Sequence, residues 1–98
     1  MTSRERILAA VNREPVDRVP IDFNGTRQSG ISVFAYAPLR THLARTDRAI
    51  ADSVRAQPRI RIFDLYQMLA EVEPALASRF GADCVALNRR AVAFGLVN

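Results

Sequence analysis

Arg27-Gln28-Ser29, five residues beyond Asp22, is the run in this sequence best equipped for chemistry. A guanidinium makes bidentate pairs with carboxylates. The glutamine amide and serine hydroxyl add neutral donors and acceptors, and the Asp22 carboxylate can orient either a ligand or Arg27. With Asn24 and Thr26 between them, these residues form a polar stretch suited to a carboxylate-bearing or otherwise polar ligand. The competing structural readings are an exposed loop arginine and an ordinary strand-end carboxylate. Other chemistry is sparse. There is no phosphate loop, dinucleotide fingerprint or HExxH helix, histidine occurs only as His42, and cysteine only as Cys84. A Cys84–His42 nucleophile would need an apolar strand and a helix surface to meet, so the two read as a structural thiol and a surface imidazole.

The residues before this stretch supply its support. Val19, Ile21 and Phe23 alternate with Pro20 and Asp22, the period of a strand. Pro20 belongs at the strand start because it lacks an amide donor, and Asn24-Gly25 and Gly30 allow the turns that end it. A strand entering a polar, glycine-bearing loop is where α/β proteins place their sites. The Asn-Gly pair also fits a hairpin with residues 26–31 returning, but residues 27–30 show no apolar alternation to bury.

The rest of the chain reads as helices and one more strand. Thr2 and Glu5 stand at capping-box spacing, and Ile7, Leu8 and Val11 make the apolar stripe of a helix that Pro15 stops at Asn12 or Arg13. Val33 to Leu43 is a mixed helical pattern that either kinks at Pro38, at a cost on the order of 3 kcal/mol, or begins there. Thr46 is placed to cap a short helix over 47–56, closed by Pro58. Ile60 and Ile62 mark a short strand or extended connector. Leu65, Met68, Leu69 and Val72 follow helical spacing, predicting a helix over 64–72 capped by Asp64. Pro74 opens another over 74–80, with Leu76 and Phe80 inward and Gly81 as its stop. Residues 83–87 read as a buried strand, parallel to 19–23 if the two pair.

The opening, Ser3 to Phe23 with Asp17-Arg18-Val19-Pro20 at its end, resembles the amino terminus of the uroporphyrinogen decarboxylase superfamily, particularly the decarboxylase-like branch that includes corrinoid methyltransferases. Ser29-Gly30-Ile31, Ala35-Tyr36, Leu39-Arg40, Ile62 to Gln67, Leu69-Ala70-Glu71 and Phe80-Gly81-Ala82-Asp83 continue the likeness in order. The resemblance implies an α/β fold. The chain would be the N-terminal fragment of a (β/α)8 TIM barrel, mostly helical with two or three short strands. Residues 1–18 would be a leading helix and linker, 19–90 the first barrel elements and 91–98 an atypical tail. Such a barrel takes about 250 residues, so 98 residues supply only its beginning.

The decarboxylase proper works without metal or organic cofactor. It clamps substrate carboxylates with arginines and carries Arg-Gln-Ala-Gly-Arg near its amino terminus; Arg27-Gln28-Ser29-Gly30-Ile31 matches three of those five positions. The resemblance thus implies Arg27, Asp22, Gln28 and Ser29 as substrate-binding residues and a small-molecule substrate such as a porphyrinogen or a methylated compound. No cofactor is expected in this chain. Zinc and corrinoid belong to full-length methyltransferase relatives, whose His-x-Cys pair is missing here. The chain is expected to be inactive alone, and to self-associate or dock on a complementary barrel chain. A noncatalytic interaction module is the alternative.

Composition excludes other classes. All fourteen basic residues are arginine, scattered among ten acidic ones for a net charge of +4, and only Arg89-Arg90 are adjacent. That pattern reads as a coding bias, with Arg55, Arg59 and Arg61 a solvated face, and no nucleic-acid partner is expected. A single cysteine rules out an internal disulfide and points to a reducing, cytoplasmic compartment. No secretory h-region follows Arg4-Glu5-Arg6, and the longest apolar run, Ala91 to Val97, is too short to span a membrane.

Overall fold

The computed structural model describes residues 1–87. In chain order these hold α1 (Ser3–Val11), α2 (Val33–Ala44), α3 (Arg48–Ala56), β1 (Ile62–Asp64), β2 (Leu69–Ala70) and α4 (Pro74–Arg79). The expected tail 91–98 lies outside the described residues, as do residues 88–90.

The core forms where α2, α3, α4 and the strand β2 meet. Tyr36, Ile50, Ala70, Val72 and Leu76 are its buried members, and Phe23, Ile31, Val33, Leu43, Val54 and Ile60 pack around them. Ser32 caps α2 by accepting from Phe34 N, and the helix continues through Pro38. Pro38 removes the amide that would bond the Phe34 carbonyl. Burial on both sides of it offsets that loss: Tyr36 is fully buried and Arg40 nearly so. The Tyr36 hydroxyl donates to Glu73 Oε2 at 2.5 Å and accepts from Glu73 N at 3.1 Å. Arg40 pairs with Glu73 Oε1 at 2.7 Å and donates to the carbonyls of Gln57 and Pro58. Burial and the acceptor Glu73 push the Tyr36 phenol above its ordinary range, so it stays protonated. Asp47, rather than the expected Thr46, caps α3, accepting from Ala49 N and Ile50 N.

The predicted helix over 64–72 is a β-hairpin. β1 and β2 pair antiparallel, Ile62 with Ala70 and Asp64 with Leu69, with a register irregularity between. Three forces override the helical spacing. Asp64 closes the turn itself, its Oδ1 accepting from Tyr66 N at 2.9 Å, and so caps a turn instead of a helix. Met68 takes a left-handed φ of 54°. β2 and the residue before it then find a second neighbour, with Ala70 N donating to Ile31 O and Val33 N to Met68 O. The result buries Phe63, Leu69 and Ala70 and leaves Leu65 and Met68 exposed.

Segments 19–23 and 83–87, expected as strands, form no ladder. They touch through a main-chain bond from Asp83 N to Ile21 O at 2.8 Å, while Ile21 N donates to the Asp83 side chain at 2.9 Å. A carboxylate therefore stands where a strand carbonyl would be, and Pro20 has no amide to offer. On either side of this meeting, Arg18 Nη2 donates to Gly81 O at 3.1 Å and Gly25 lies beside Cys84. The hairpin alternative after Asn24-Gly25 does not form.

α1 is capped by Thr2 as expected, Glu5 N donating to its hydroxyl, and Asn12 ends it. Its buried face is different: Arg6 and Ala9 are covered, whereas Leu8 and Val11 of the expected stripe are exposed. α4 ends at Phe80 with Gly81 at φ 73°, and Leu76 points inward, but Phe80 is 43% exposed, edge-on to Phe23.

Tyr36→Phe should lower stability by about 1–3 kcal/mol, because Glu73 N and its carboxylate lose their buried partner. Leu76→Ala should cost about 2–5 kcal/mol through lost burial and a cavity. Urea unfolding followed by circular dichroism checks both, and Tyr36→Phe at wild-type stability would contradict the coupling.

Candidate functional site

Within residues 22–30 the loop is wound on its own side chains. Asp22 Oδ1 accepts from Gly25 N at 2.9 Å and from Ser29 Oγ at 3.0 Å. Ser29 Oγ also takes Thr26 N, and Thr26 Oγ1 takes Gln28 N. Gly25 is required by crowding: a Cβ there would stand 2.3 Å from Asp22 Oδ1 and 3.0 Å from the Cys84 Cβ. Asn24, at φ 69°, directs a buried amide at the hairpin, its nitrogen toward Ala70 O and its oxygen toward Val72 N, both at 3.2 Å. The Asn-Gly pair thus pegs the loop to β2 and the residues after it.

Of the four expected ligand residues, the structure brings Asp22 and Ser29 together and sends Arg27 elsewhere. Arg27 Nε lies 3.4 Å from Asp64 Oδ2, and its guanidinium sits 5.8 Å from the centre of the Phe63 ring. About half of the Arg27 side chain remains exposed. Gln28 is exposed, and its backbone amide donates to Thr26 Oγ1. Asp64 and Phe63 are the site residues that sequence reasoning missed. Their signal was Asp64 followed by Gln67, which suits a turn as well as a helix cap: Gln67 Nε2 donates to Asp64 Oδ2 at 2.9 Å. Burial alone would raise the Asp64 pKa, but the bonds from Gln67 and Tyr66 and the charge of Arg27 outweigh it and hold the carboxyl below its ordinary value.

A cleft of about 370 Å³ opens between α4 and Phe23–Asn24, lined also by Val72, Pro74, Cys84 and Val85. None of Asp22, Arg27, Gln28 or Ser29 lines it. Burial, with Asp22 and Asp83 nearby, raises the Cys84 pKa, so the thiol stays protonated at neutral pH. His42 sits exposed on the last turn of α2, and Cys84 lies in the cleft beside Phe23 and Val72. Among the described residues no group of three or more metal-ligating side chains converges, and no helix is long and apolar enough to cross a membrane.

A second polar cluster joins the chain's distant parts. Asp83, its side chain fully buried, accepts from Ser3 Oγ at 2.7 Å, Arg6 Nη1 at 2.6 Å, Arg18 Nη1 at 2.8 Å and Ile21 N. Arg6 also pairs with Asp17 through Nε at 2.7 Å and Nη2 at 2.9 Å. The Ile21 amide, Ser3 and the two arginines hold the Asp83 carboxyl well below the carboxylate range, and Arg6 does the same to Asp17. This cluster fastens the chain, with Asp83 and Arg6 covered and Asp17 and Arg18 on its open side.

No family model, curated protein sequence or solved structure matches the chain.

The Asp83 cluster makes a pH prediction. A carboxyl whose folded pKa is depressed contributes stability that is complete above its unfolded value, 3.8, and is lost as pH falls through the folded one. The helical signal should therefore hold from pH 7 to 5 and fall below about pH 4. Asp83→Asn should be less stable at neutral pH and show a shallower acid dependence. Thermal melts at stepped pH check this, and identical acid profiles would refute it.

Proposed function

We propose that the chain is the amino-terminal portion of a uroporphyrinogen decarboxylase-like barrel, and that its 22–30 loop contributes Arg27 to binding a carboxylate-rich small molecule of the porphyrinogen type. The observation behind this reading is the Asp83 cluster. Arg6, Asp17, Arg18 and Asp83 are all residues on which the resemblance rests; Arg6 and Arg18, from one end of the matching region, meet on the carboxylate of Asp83 from the other, and Asp17 pairs with Arg6 beside them. An ordered set of loose matches thereby acquires a physical reason to occur together. The Asp83 N to Ile21 O bond brings 19–23 beside 83–87, as the reading of the two as neighbouring barrel strands requires.

The chemistry assigned to the chain is binding. A half-exposed guanidinium backed by an aromatic ring can take a carboxylate in bidentate fashion. Ile31 in place of a second arginine leaves this loop with one such group, so fewer carboxylates are gripped here than in the decarboxylase proper. Decarboxylation itself, or methyl transfer in the corrinoid branch with its zinc and corrinoid, would depend on residues outside this chain. A noncatalytic module docking on a complementary barrel chain is the second reading. It is favoured by Val19, Val85 and Leu87, which stand 77%, 87% and 98% exposed on these two segments.

Arg27→Ala in a full-length relative with this loop should raise KM for a polycarboxylate substrate roughly tenfold while leaving folding intact. Unchanged kinetics would reject the assignment. The 98-residue chain should associate in sedimentation and show no uroporphyrinogen decarboxylation. A compact monomer that turns over substrate would overturn the proposal.

A further inference from the structure

The geometry points to Asp64 as a positioning residue for Arg27, gripping the guanidinium by its Nε edge so that the two terminal nitrogens are left for a carboxylate ligand. This rests on the reading of Arg27 as a carboxylate-binding arginine and names what prepares it. Asp64 Oδ2 is 3.4 Å from Arg27 Nε, and the Phe63 ring lies 5.8 Å from the same guanidinium. Both supports are themselves fixed, since Phe63 and Asp64 are each 7% exposed. Tyr66 N and Gln67 Nε2 align the two Asp64 oxygens, each at 2.9 Å. The hairpin beneath is tied down by Ala70 N to Ile31 O and Glu71 N to Arg61 O. No other described residue takes the terminal nitrogens of Arg27. Loop residue and support thus come from segments 37 positions apart (64 minus 27), brought together by folding.

An aspartate beside a ligand arginine has two opposed effects. It repels an anionic ligand: with the two carboxylates on opposite edges of one guanidinium, on the order of 7 Å apart, the loss at water-like screening is about threefold in affinity. It also removes rotamer freedom from a long side chain, which is worth up to about thirtyfold when wholly removed. For a half-exposed arginine held on one edge with its guanidinium over a ring, positioning exceeds repulsion, and the net gain is about fivefold.

The test uses the full 98-residue chain, with uroporphyrin, a fluorescent polycarboxylate, as the probe. In wild type the Arg27 Nε–H should show a restricted heteronuclear NOE without ligand. Asp64→Asn should make that group mobile and weaken uroporphyrin binding about fivefold, and Asp64→Glu should recover part of both. Arg27→Ala should lose more. If Arg27→Ala weakens binding while Asp64→Asn binds as well as wild type or better, or leaves the NOE unchanged, positioning is refuted and the arginine reading survives. If wild type does not bind, or Arg27→Ala binds equally, the underlying reading falls and the proposal with it. Should Asp64→Asn unfold, Gln67→Ala removes the donor that aligns Oδ2 while keeping the charge. It must loosen Arg27 Nε, and an unchanged NOE there overturns the proposal.

Discussion

The buried carboxylate of Asp83 sets conditions that much of the molecule has to meet. A charge taken out of water is costly unless every lone pair finds a donor. Here the donors are Ser3, Arg6, Arg18 and the Ile21 amide, gathered from α1 and from the segment that follows it. Satisfying Asp83 fixes the angle at which α1 lies against the rest, and explains why Arg6 is buried while Leu8 and Val11 are not. It also sets segments 19–23 and 83–87 side by side and denies them a regular ladder, because the side chain occupies the acceptor position that pairing strands would use.

Polar pegs recur where apolar packing is thin. The Tyr36–Glu73–Arg40 group ties α2 to the start of α4 and to the end of α3 through the carbonyls of Gln57 and Pro58. Asn24 does the same between the loop and β2. Such clusters are cooperative, so losing one partner leaves the others buried without compensation. They accompany a small core in which Tyr36, Ile50 and Leu76 are the largest fully buried side chains, while Phe34, Tyr66, Val85 and Leu87 remain exposed. A chain with that distribution has apolar surface suited to further elements or a partner.

The loop shows how folding reassigns polar residues. Asp22 and Ser29 are consumed in shaping the loop, since each satisfies backbone or hydroxyl groups within it. Arg27 is turned the other way, onto the hairpin. The loop's most ligand-competent group is therefore supported by residues that a strand-and-loop reading would not connect with it.

The amino-acid sequence by itself determined the features whose causes are local. The Thr2–Glu5 cap, the stop after Val11, Pro74 at the head of α4 and Gly81 beyond its end each follow from one or two side chains acting on nearby backbone. Polar residues at 22–29 were equally legible as a cluster of chemistry. The tertiary structure decided what depends on distant partners. Leu65, Met68, Leu69 and Val72 carry helical spacing, yet Ile31 and Val33 offered β2 hydrogen bonds that a helix could not accept. Arg6 outranked an apolar stripe because Asp17 and Asp83, 11 and 77 positions away, needed its charge. Spacing reports which face of an element is apolar; which face is buried depends on where the uncompensated charges and unpaired amides lie once the chain has closed on itself.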